Sequence, residues 1–163
     1  MIWLVMGVTG CGKTTLGKAL AERLKVPFYD ADDFHPPANR EKLSRDEPLQ
    51  DADRWPWLEK LAGLMPGWEA SGGAVLACSA LKESYRSILR RAGIPMRIVW
   101  LEITPERASE RLGLRQHELV ARYEKILAGQ FRDLETPAHA LTVSADLPLS
   151  AQVQQICPSD SLN

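Results

Sequence analysis

Nothing in this sequence calls for a polyanion, a lipid bilayer or a disulfide framework. Lysine and arginine number 20 against 21 aspartates and glutamates, a formal net charge of −1, so no surplus of one sign points to nucleic acid or an anionic membrane. No apolar run approaches the ~20 residues that span a bilayer. The opening Met-Ile-Trp-Leu-Val already reads as a strand and lacks the basic segment and small-residue cleavage pattern of a secretory leader. The three cysteines, Cys11, Cys78 and Cys157, are an odd and scattered set, which argues for a reducing, cytoplasmic setting. No Cys/His spacing matches a zinc site. The only asparagines are Asn39 and Asn163, which excludes an Asn-Lys-x-Asp-like guanine reader. Internal repeats, linkers and low-complexity segments are likewise missing.

What is present begins with Gly7-Val8-Thr9-Gly10-Cys11-Gly12-Lys13-Thr14, which fits the phosphate-binding pattern G-x-x-x-x-G-K-[ST]. The apolar run Ile2–Met6 precedes it, as a buried strand does. Thr14 to Leu24 follows as a helix with Leu16, Ala19, Leu20 and Leu24 on one face. Strand, glycine loop and helix in that order is the context that confirms the motif. The glycines open backbone conformations closed to larger residues. Successive N–H groups then line a concave nest for phosphate oxygens, at the positive end of the helix dipole. Lys13 is expected on the terminal phosphates and the Thr14 hydroxyl on Mg²⁺. Cys11 occupies a variable position of the loop; the helix dipole favours a lowered thiol pKa there, but a small residue tolerated in a loop is the plainer reading.

At 163 residues, 45% hydrophobic and 25% charged, the chain reads as one domain, 1–163. Strands are expected at 2–6, 27–30, 74–78, 97–103 and 141–144. Helices are expected at 14–24, 55–65, 82–92, 105–112, about 117–130 and 149–156, with another short one over 37–45. Such alternation predicts an α/β fold: a parallel five-stranded sheet with helices on both faces. Pro66-Gly67 predicts a kink or break in the helix that starts at Trp55. Pro56 sits near the expected helix start, where proline is tolerated.

Ligands of an open parallel sheet bind beyond the carboxyl ends of its strands. After the second strand comes Asp30-Ala31-Asp32-Asp33-Phe34-His35. In extended chain Asp30 and Asp32 point the same way. We assign Asp30 to the metal and Asp32, further out, to accepting a proton from an attacking hydroxyl. In isolation an acidic turn capping a helix is the commoner use of such residues; behind a phosphate loop the active-site reading leads. The third strand does not end in an acid, so these aspartates must also supply what a Walker-B acid supplies elsewhere. Lys82 and Arg86, four apart near the start of a helix, can clamp an anionic substrate group or stand as solvated charges. Arg107, Arg111 and Arg115 follow the fourth strand. At least one is expected on a lid to neutralise the transferring phosphoryl group or stack on adenine, although alternation with Glu106 and Glu110 also fits a salt-bridged solvent face.

With these runs in view, the chain resembles the bacterial-type, thermoresistant gluconate kinases, P-loop small-molecule kinases near shikimate kinase. The resemblance rests on residues 6–14, on Asp30 to Pro36, Asn39, Glu41-Lys42, Glu47-Pro48-Leu49, Asp51, Asp53-Arg54 and Pro56-Trp57-Leu58. It continues through Cys78 to Lys82, Tyr85-Arg86, Gln130-Phe131, Leu134-Glu135 and Pro137. It implies a nucleoside-monophosphate-kinase-like sheet with a lid, here about 113–130, and often a homodimer. It also implies transfer of the ATP γ-phosphoryl group to the 6-hydroxyl of D-gluconate, giving 6-phosphogluconate.

Carried over by position, Asp32 contacts the acceptor hydroxyl, and His35, Arg54, Lys82 and Arg86 line the sugar-acid pocket. Catalysis then falls to Lys13, Asp32 and Arg111. Nucleotide contacts fall to Gly7, Val8, Thr9, Gly10, Cys11, Gly12, Lys13, Thr14, Thr15, Arg111 and Arg115, and Mg²⁺ to Thr14 and Asp30. One run departs from the family. Where a Gly-His-Phe-Met-like sequence is usual, Arg115 is followed by Gln116-His117-Glu118-Leu119-Val120. The segment to Gln130 also reads as longer and more helical, with Tyr123, Ile126 and Leu127 on a stripe. A kinase of another polyol acid, such as shikimate or a different sugar acid, is the neighbouring reading. A nucleotide switch without a small acceptor, or a nonenzymatic interaction protein, is a more distant one.

Overall fold

The computed structural model describes residues 1–113 and 120–158. Arg115 and His117 therefore lie outside the described residues. Five strands, β1 (Ile2–Met6), β2 (Phe28–Asp30), β3 (Ala74–Ala77), β4 (Met96–Glu102) and β5 (Leu141–Ser144), form one sheet in the order β2-β3-β1-β4-β5. Every pairing is parallel. The five-stranded sheet expected from the alternation of elements is the one observed.

The helices are α1 (Lys13–Leu24), α2 (Pro37–Ser44), α3 (Asp51–Ala70), α4 (Glu83–Arg90), α5 (Pro105–Gly113), α6 (Val120–Asp133) and α7 (Leu149–Ile156). The lid expected over about 113–130 runs partly through undescribed residues and then into α6. Among the described residues no helix is long and apolar enough to cross a membrane.

The period-two alternation of the strands sorts the core into two layers. Val5, Val75, Val99, Leu101 and Val143 face Leu16, Leu20, Leu127 and Ile156 on one side. Ile2, Leu4, Met6, Leu76 and Ile98 face Trp57, Leu58, Leu61, Met65 and Leu89 on the other. β1 lies between β3 and β4, so it is covered on both faces, which its near-continuous apolar run requires. The chain travels to one side of β1 for β2 and β3 and to the other for β4 and β5. The loop leaving β1 therefore opens at a switch point of the sheet, where ligands bind.

Two local expectations give way. No helix break occurs at Pro66. α3 runs without interruption from Asp51 to Ala70 and carries both Pro56 and Pro66 inside it. A proline inside a helix removes one hydrogen bond and costs about 3 kcal/mol. Burial of Leu58, Leu61, Ala62 and Met65 along that helix offsets it, each large apolar side chain contributing roughly 1.5–3 kcal/mol. The helix also starts earlier than Trp55, because Gln50 and Asp53 form a reciprocal capping box ahead of it. Second, α4 begins at Glu83, which leaves Lys82 as its N-cap.

Candidate active site

The phosphate loop is shaped by its glycines and tied down from outside. Gly10 has φ +80° and Gly12 φ +103°, conformations that side chains disfavour. A Cβ on Gly7 would come within 2.7 Å of the Cys11 sulfur and 2.8 Å of the Leu101 carbonyl oxygen. The Lys13 ammonium donates to the Val8 carbonyl at 2.9 Å, curling back over the loop. Arg111 on α5 donates to the Cys11 carbonyl at 3.2 Å and to the Ala145 carbonyl. Gln130 on α6 accepts from the Thr9 N–H at 2.6 Å and donates to the Thr9 hydroxyl at 2.8 Å. Among the described residues no acceptor meets the N–H groups of Gly10, Gly12, Lys13 or Thr14. An open row of donors at the N-terminus of α1 is an anion cradle. Thr15 stands exposed in the same first turn. Burial pushes the Cys11 thiol up, against the lowering that its position at the helix start favours.

Asp30 ends β2 and faces the loop, its Oδ2 lying 3.5 Å from the Thr14 hydroxyl. Its other oxygen accepts from the Asp32 N–H at 3.0 Å, capping the short 3₁₀ turn Ala31–Phe34. Asp30 and Asp32 are thus not two points on one extended strand. The turn carries Asp32 forward, with its side chain 83% exposed. Partial desolvation, then the charge of Asp30, raises the Asp32 pKa, while Lys13 pulls it down. Lys13 and Asp32 therefore lie within electrostatic reach of one another.

A hydroxyl and a carboxylate oxygen 3.5 Å apart beside an anion cradle suit a hard, six-coordinate cation that also takes phosphate oxygens. Among the described residues no cluster of three His, Cys, Asp or Glu side chains is built to hold a metal by itself. Thr14 and Asp30 therefore fit Mg²⁺ of the kind that arrives with a nucleotide.

His35 follows on the same turn. It is 8% exposed and stacks on Trp57, with ring centroids 4.2 Å apart. The Asn39 amide nitrogen donates to the Asp53 carbonyl at 2.9 Å and lies 3.2 Å from His35 Nδ1. A carbonyl can only accept, so the amide nitrogen is fixed as the donor and Nδ1 as an acceptor. The proton then sits on Nε2, which faces Asp32 Oδ1 at 3.8 Å. Burial, then Arg40 and Arg54, lowers the His35 pKa to about 4, so the ring is neutral at physiological pH.

The cationic side of the cleft gathers around Tyr85. Lys82 and Arg54 each lie 5.6 Å from its ring, and Trp55 meets it edge-on. Asp51 holds the group together. It takes the Lys82 ammonium at 3.2 Å and the Tyr85 hydroxyl at 2.5 Å, with Arg54 at 3.8 Å. The Tyr85 hydroxyl, then Lys82, lowers the Asp51 pKa.

Arg86, expected in this pocket, is elsewhere. It is 0% exposed and donates to Glu83 and to the carbonyls of Ala80, Leu81 and Glu135. The four-residue spacing from Lys82 is real, but the helix starts one residue later and its Arg86 face packs inward. Arg107 is engaged by Glu110 and Asp146, the salt-bridged face. Arg111 braces the loop from behind, and Arg115 lies outside the described residues.

Asp51, Asn39 and Gln130 were given no role by sequence reasoning, although all three stand in the runs quoted for the resemblance. Their partners Lys82, Asp53 and Thr9 are 31, 14 and 121 residues away. Only residence in a matching run marked them.

Comparison with known proteins agrees with this geometry. The sequence matches the shikimate kinase family over residues 9–137. It is 42% identical over 139 residues to a gluconokinase of Gluconobacter oxydans, covering 82% of this chain and 75% of that protein. With the thermoresistant gluconokinase of Escherichia coli it shares 32% over 157 residues, 93% of this chain and 89% of the other. The crystal structure of a gluconokinase from Sinorhizobium meliloti superposes with a TM-score of 0.81 at 35% identity, over 94% of this chain and 87% of that one. A P-loop phosphotransferase fold and an accessible acidic pair beside its phosphate loop are what such enzymes need, and the chain belongs to the gluconokinases within the shikimate kinase family.

Proposed function

We propose that the protein transfers the γ-phosphoryl group of ATP to the 6-hydroxyl of D-gluconate, releasing ADP and 6-phosphogluconate. The observation that carries this reading is a chain of neighbours: an open N–H row and Lys13, whose charge reaches Asp32; His35 beside Asp32, which feels Arg54; and the group of Arg54 and Lys82 about Tyr85.

The N–H groups of Gly10, Gly12, Lys13 and Thr14 hold the phosphate chain, and Lys13 swings from the Val8 carbonyl to the terminal phosphates. Thr14 and Asp30 would hold Mg²⁺, which when bound neutralises charge on the phosphate oxygens. Asp32 accepts the proton of the acceptor hydroxyl as that oxygen bonds to the γ-phosphorus and the bond to the bridging oxygen of ADP breaks. His35, neutral and carrying its proton on Nε2, offers a donor beside Asp32. Arg54 and Lys82 take the acceptor carboxylate, which a neutral sugar lacks; excluding such a sugar leaves their charges on Asp51. The lid over about 113–130, with Arg115, and the loop brace Arg111 complete the nucleotide side. The single domain, the homodimer and the cytoplasmic setting belong to the same reading. Free Cys11, Cys78 and Cys157 support the last, and sedimentation velocity tests the dimer.

A coupled assay of ADP release with a panel of acceptors tests the function. Gluconate is expected to be turned over with the highest kcat/KM, ahead of shikimate, other sugar acids and glucose. ADP release independent of any acceptor in the panel would overturn it.

A further inference from the structure

Gln130 and Glu135, at and just beyond the end of α6, are given no individual role above, yet between them they touch both the phosphate loop and the loop that carries Lys82. Gln130 meets Thr9 of the phosphate loop through two hydrogen bonds, one to its N–H and one to its hydroxyl. Two bonds from one planar amide fix the loop in position and in rotation. One turn further, the Leu134 N–H bonds to the Gln130 carbonyl at 2.9 Å, so the helical geometry carries through.

Glu135 then holds the loop on the acceptor side at three points. Its N–H donates to the Leu81 carbonyl at 3.0 Å. Its carboxylate accepts from the Glu83 N–H at 2.8 Å, serving as the cap that Lys82 itself does not provide to α4. Its carbonyl accepts from buried Arg86 at 3.0 Å, and Arg86 in turn holds the carbonyls of Ala80 and Leu81. Ala80 has φ +41°, a conformation a non-glycine residue keeps only when its surroundings impose it. Lys82 lies between Leu81 and Glu83, both of which Glu135 grips.

We infer that Gln130 and Glu135 are positioning residues that register the phosphate loop and the Lys82 loop against one stub of helix. The gap between the γ-phosphoryl group and the acceptor anion is then set by α6, the helix that leads out of the lid segment. Phosphoryl transfer depends on in-line alignment, and a misplacement of about 1 Å can cost roughly a hundredfold. The inference rests on gluconate being the acceptor only for its Lys82 half.

Full-length Gln130→Leu, Gln130→Glu, Glu135→Ala and Glu135→Gln separate this role from simple support. Initial rates are measured with ATP and gluconate varied independently, and Mg·ADP is titrated calorimetrically. Gln130→Leu should raise the ATP KM and the ADP Kd about tenfold, the size of one or two lost hydrogen bonds, and leave the gluconate KM alone. Glu135→Ala should raise the gluconate KM by a similar factor and leave the ADP Kd alone. Both should lower kcat, and in the double variant the kcat loss should fall short of the product of the two. Gln130→Glu still accepts from the Thr9 N–H, and Glu135→Gln from the Glu83 N–H, so each should return to within about threefold of the parent.

A fall in kcat with both KM values unchanged, and no rescue by the conservative variants, would overturn the inference. So would an unchanged ADP Kd in Gln130→Leu. Should Gln130→Leu not fold, Thr9→Val reads the hydroxyl half of the same contact, with an ADP Kd raised about threefold as the supporting result and an unchanged one as the overturning result. If the parent enzyme ignores gluconate, the acceptor assignment fails by itself, while the ADP titrations still decide the Gln130 half.

Discussion

Around the phosphate loop, the N–H groups of Gly10, Gly12, Lys13 and Thr14 are left open, while Thr9 and the carbonyls of Val8 and Cys11 are tied off. Gln130 bonds Thr9, Arg111 the Cys11 carbonyl and the Lys13 ammonium the Val8 carbonyl, and the open N–H row meets no acceptor among the described residues. Around Lys82 the arrangement is reversed. Its ammonium, the Tyr85 hydroxyl and the Arg54 guanidinium already converge on the Asp51 carboxylate. One end is a preformed cradle. The other is a set of cations holding an internal anion, Asp51, which on the proposed reading a substrate carboxylate has to replace. Nucleotide binding should therefore need little beyond the swing of Lys13, and acceptor binding should need an exchange of ion pairs.

The sharpest test of the proposed site is removal of its two neighbouring charges. Lys13→Ala and Asp32→Ala should each lower kcat about a thousandfold or more, the usual scale for a lost charge-stabilising or proton-accepting group. The Asp32 effect should carry a pH signature. Because its pKa is raised, first by desolvation, activity should fall on the acid side at a pH above the ordinary carboxylate value. A parent profile without that limb, or near-parental activity in either variant, would remove the basis for comparing the two ends at all.

Next in size is the brace behind the acceptor loop. Arg86→Met removes the buried donor of the Ala80 carbonyl, one of the two donors of the Leu81 carbonyl, and the bond to the Glu135 carbonyl. The expected loss of stability is about 3–4 kcal/mol, or roughly 10 °C in Tm for a chain of this size. If Arg86 instead turned outward to the substrate, the variant would keep its Tm and lose acceptor affinity. Thermal unfolding beside acceptor kinetics distinguishes the two.

The same contrast explains what could be read from the chain before its structure. The phosphate loop, its strand and its helix are contiguous, and their function lies mostly in backbone groups that glycine positions expose directly. The sheet followed from alternating elements, with the central strands β1 and β3 short and apolar because both of their faces are covered. The acceptor end is built from side chains distant in sequence, and spacing alone does not reveal which face of a helix turns inward. Lys82 and Arg86 share a spacing but not a fate, since α4 starts at Glu83 and buries Arg86. Pro66 misled for a related reason: local preference said stop, while the buried stripe from Leu58 to Met65 kept α3 going. Asp30 was legible as a carboxylate by the loop, but its second task as the cap of the 3₁₀ turn depends on a bend that extended-chain geometry does not include.

His35 lies between the two ends and should report on both. In the folded protein its pKa is about 4, lowered first by burial and then by Arg40 and Arg54. The unfolded chain takes up that proton near 6.5. Below 6.5 the unfolded state thus binds more protons than the native one, and stability falls as pH drops toward 4. The full effect of a shift of this size is at most about 3 kcal/mol. Urea unfolding at pH 7 and pH 5, followed through tryptophan fluorescence because Trp57 stacks on the ring, should show this loss in the parent protein. His35→Gln should show a smaller one. Parallel pH dependences in the two proteins would mean that His35 is solvated, and that the Asn39 contact does not hold its tautomer.

The smallest effect bears most directly on the contrast between the two ends. Asp51→Asn keeps an oxygen for the Tyr85 hydroxyl and removes the charge that holds Lys82 and Arg54. If Asp51 is an internal competitor, the freed cations should bind the acceptor carboxylate more tightly. Pairs this exposed are worth up to about 1 kcal/mol, so the gluconate KM should fall by no more than roughly fivefold. The ATP KM should not move, since Asp51 touches nothing in the phosphate loop among the contacts described. Added salt should narrow the difference between variant and parent, because screening weakens the pair that the substitution removes. A gluconate KM that rises instead would mean that Asp51 aims Lys82 and Arg54 at the substrate. The acceptor end would then be as preformed as the phosphate loop, its anion a strut within the pocket and not an occupant awaiting exchange.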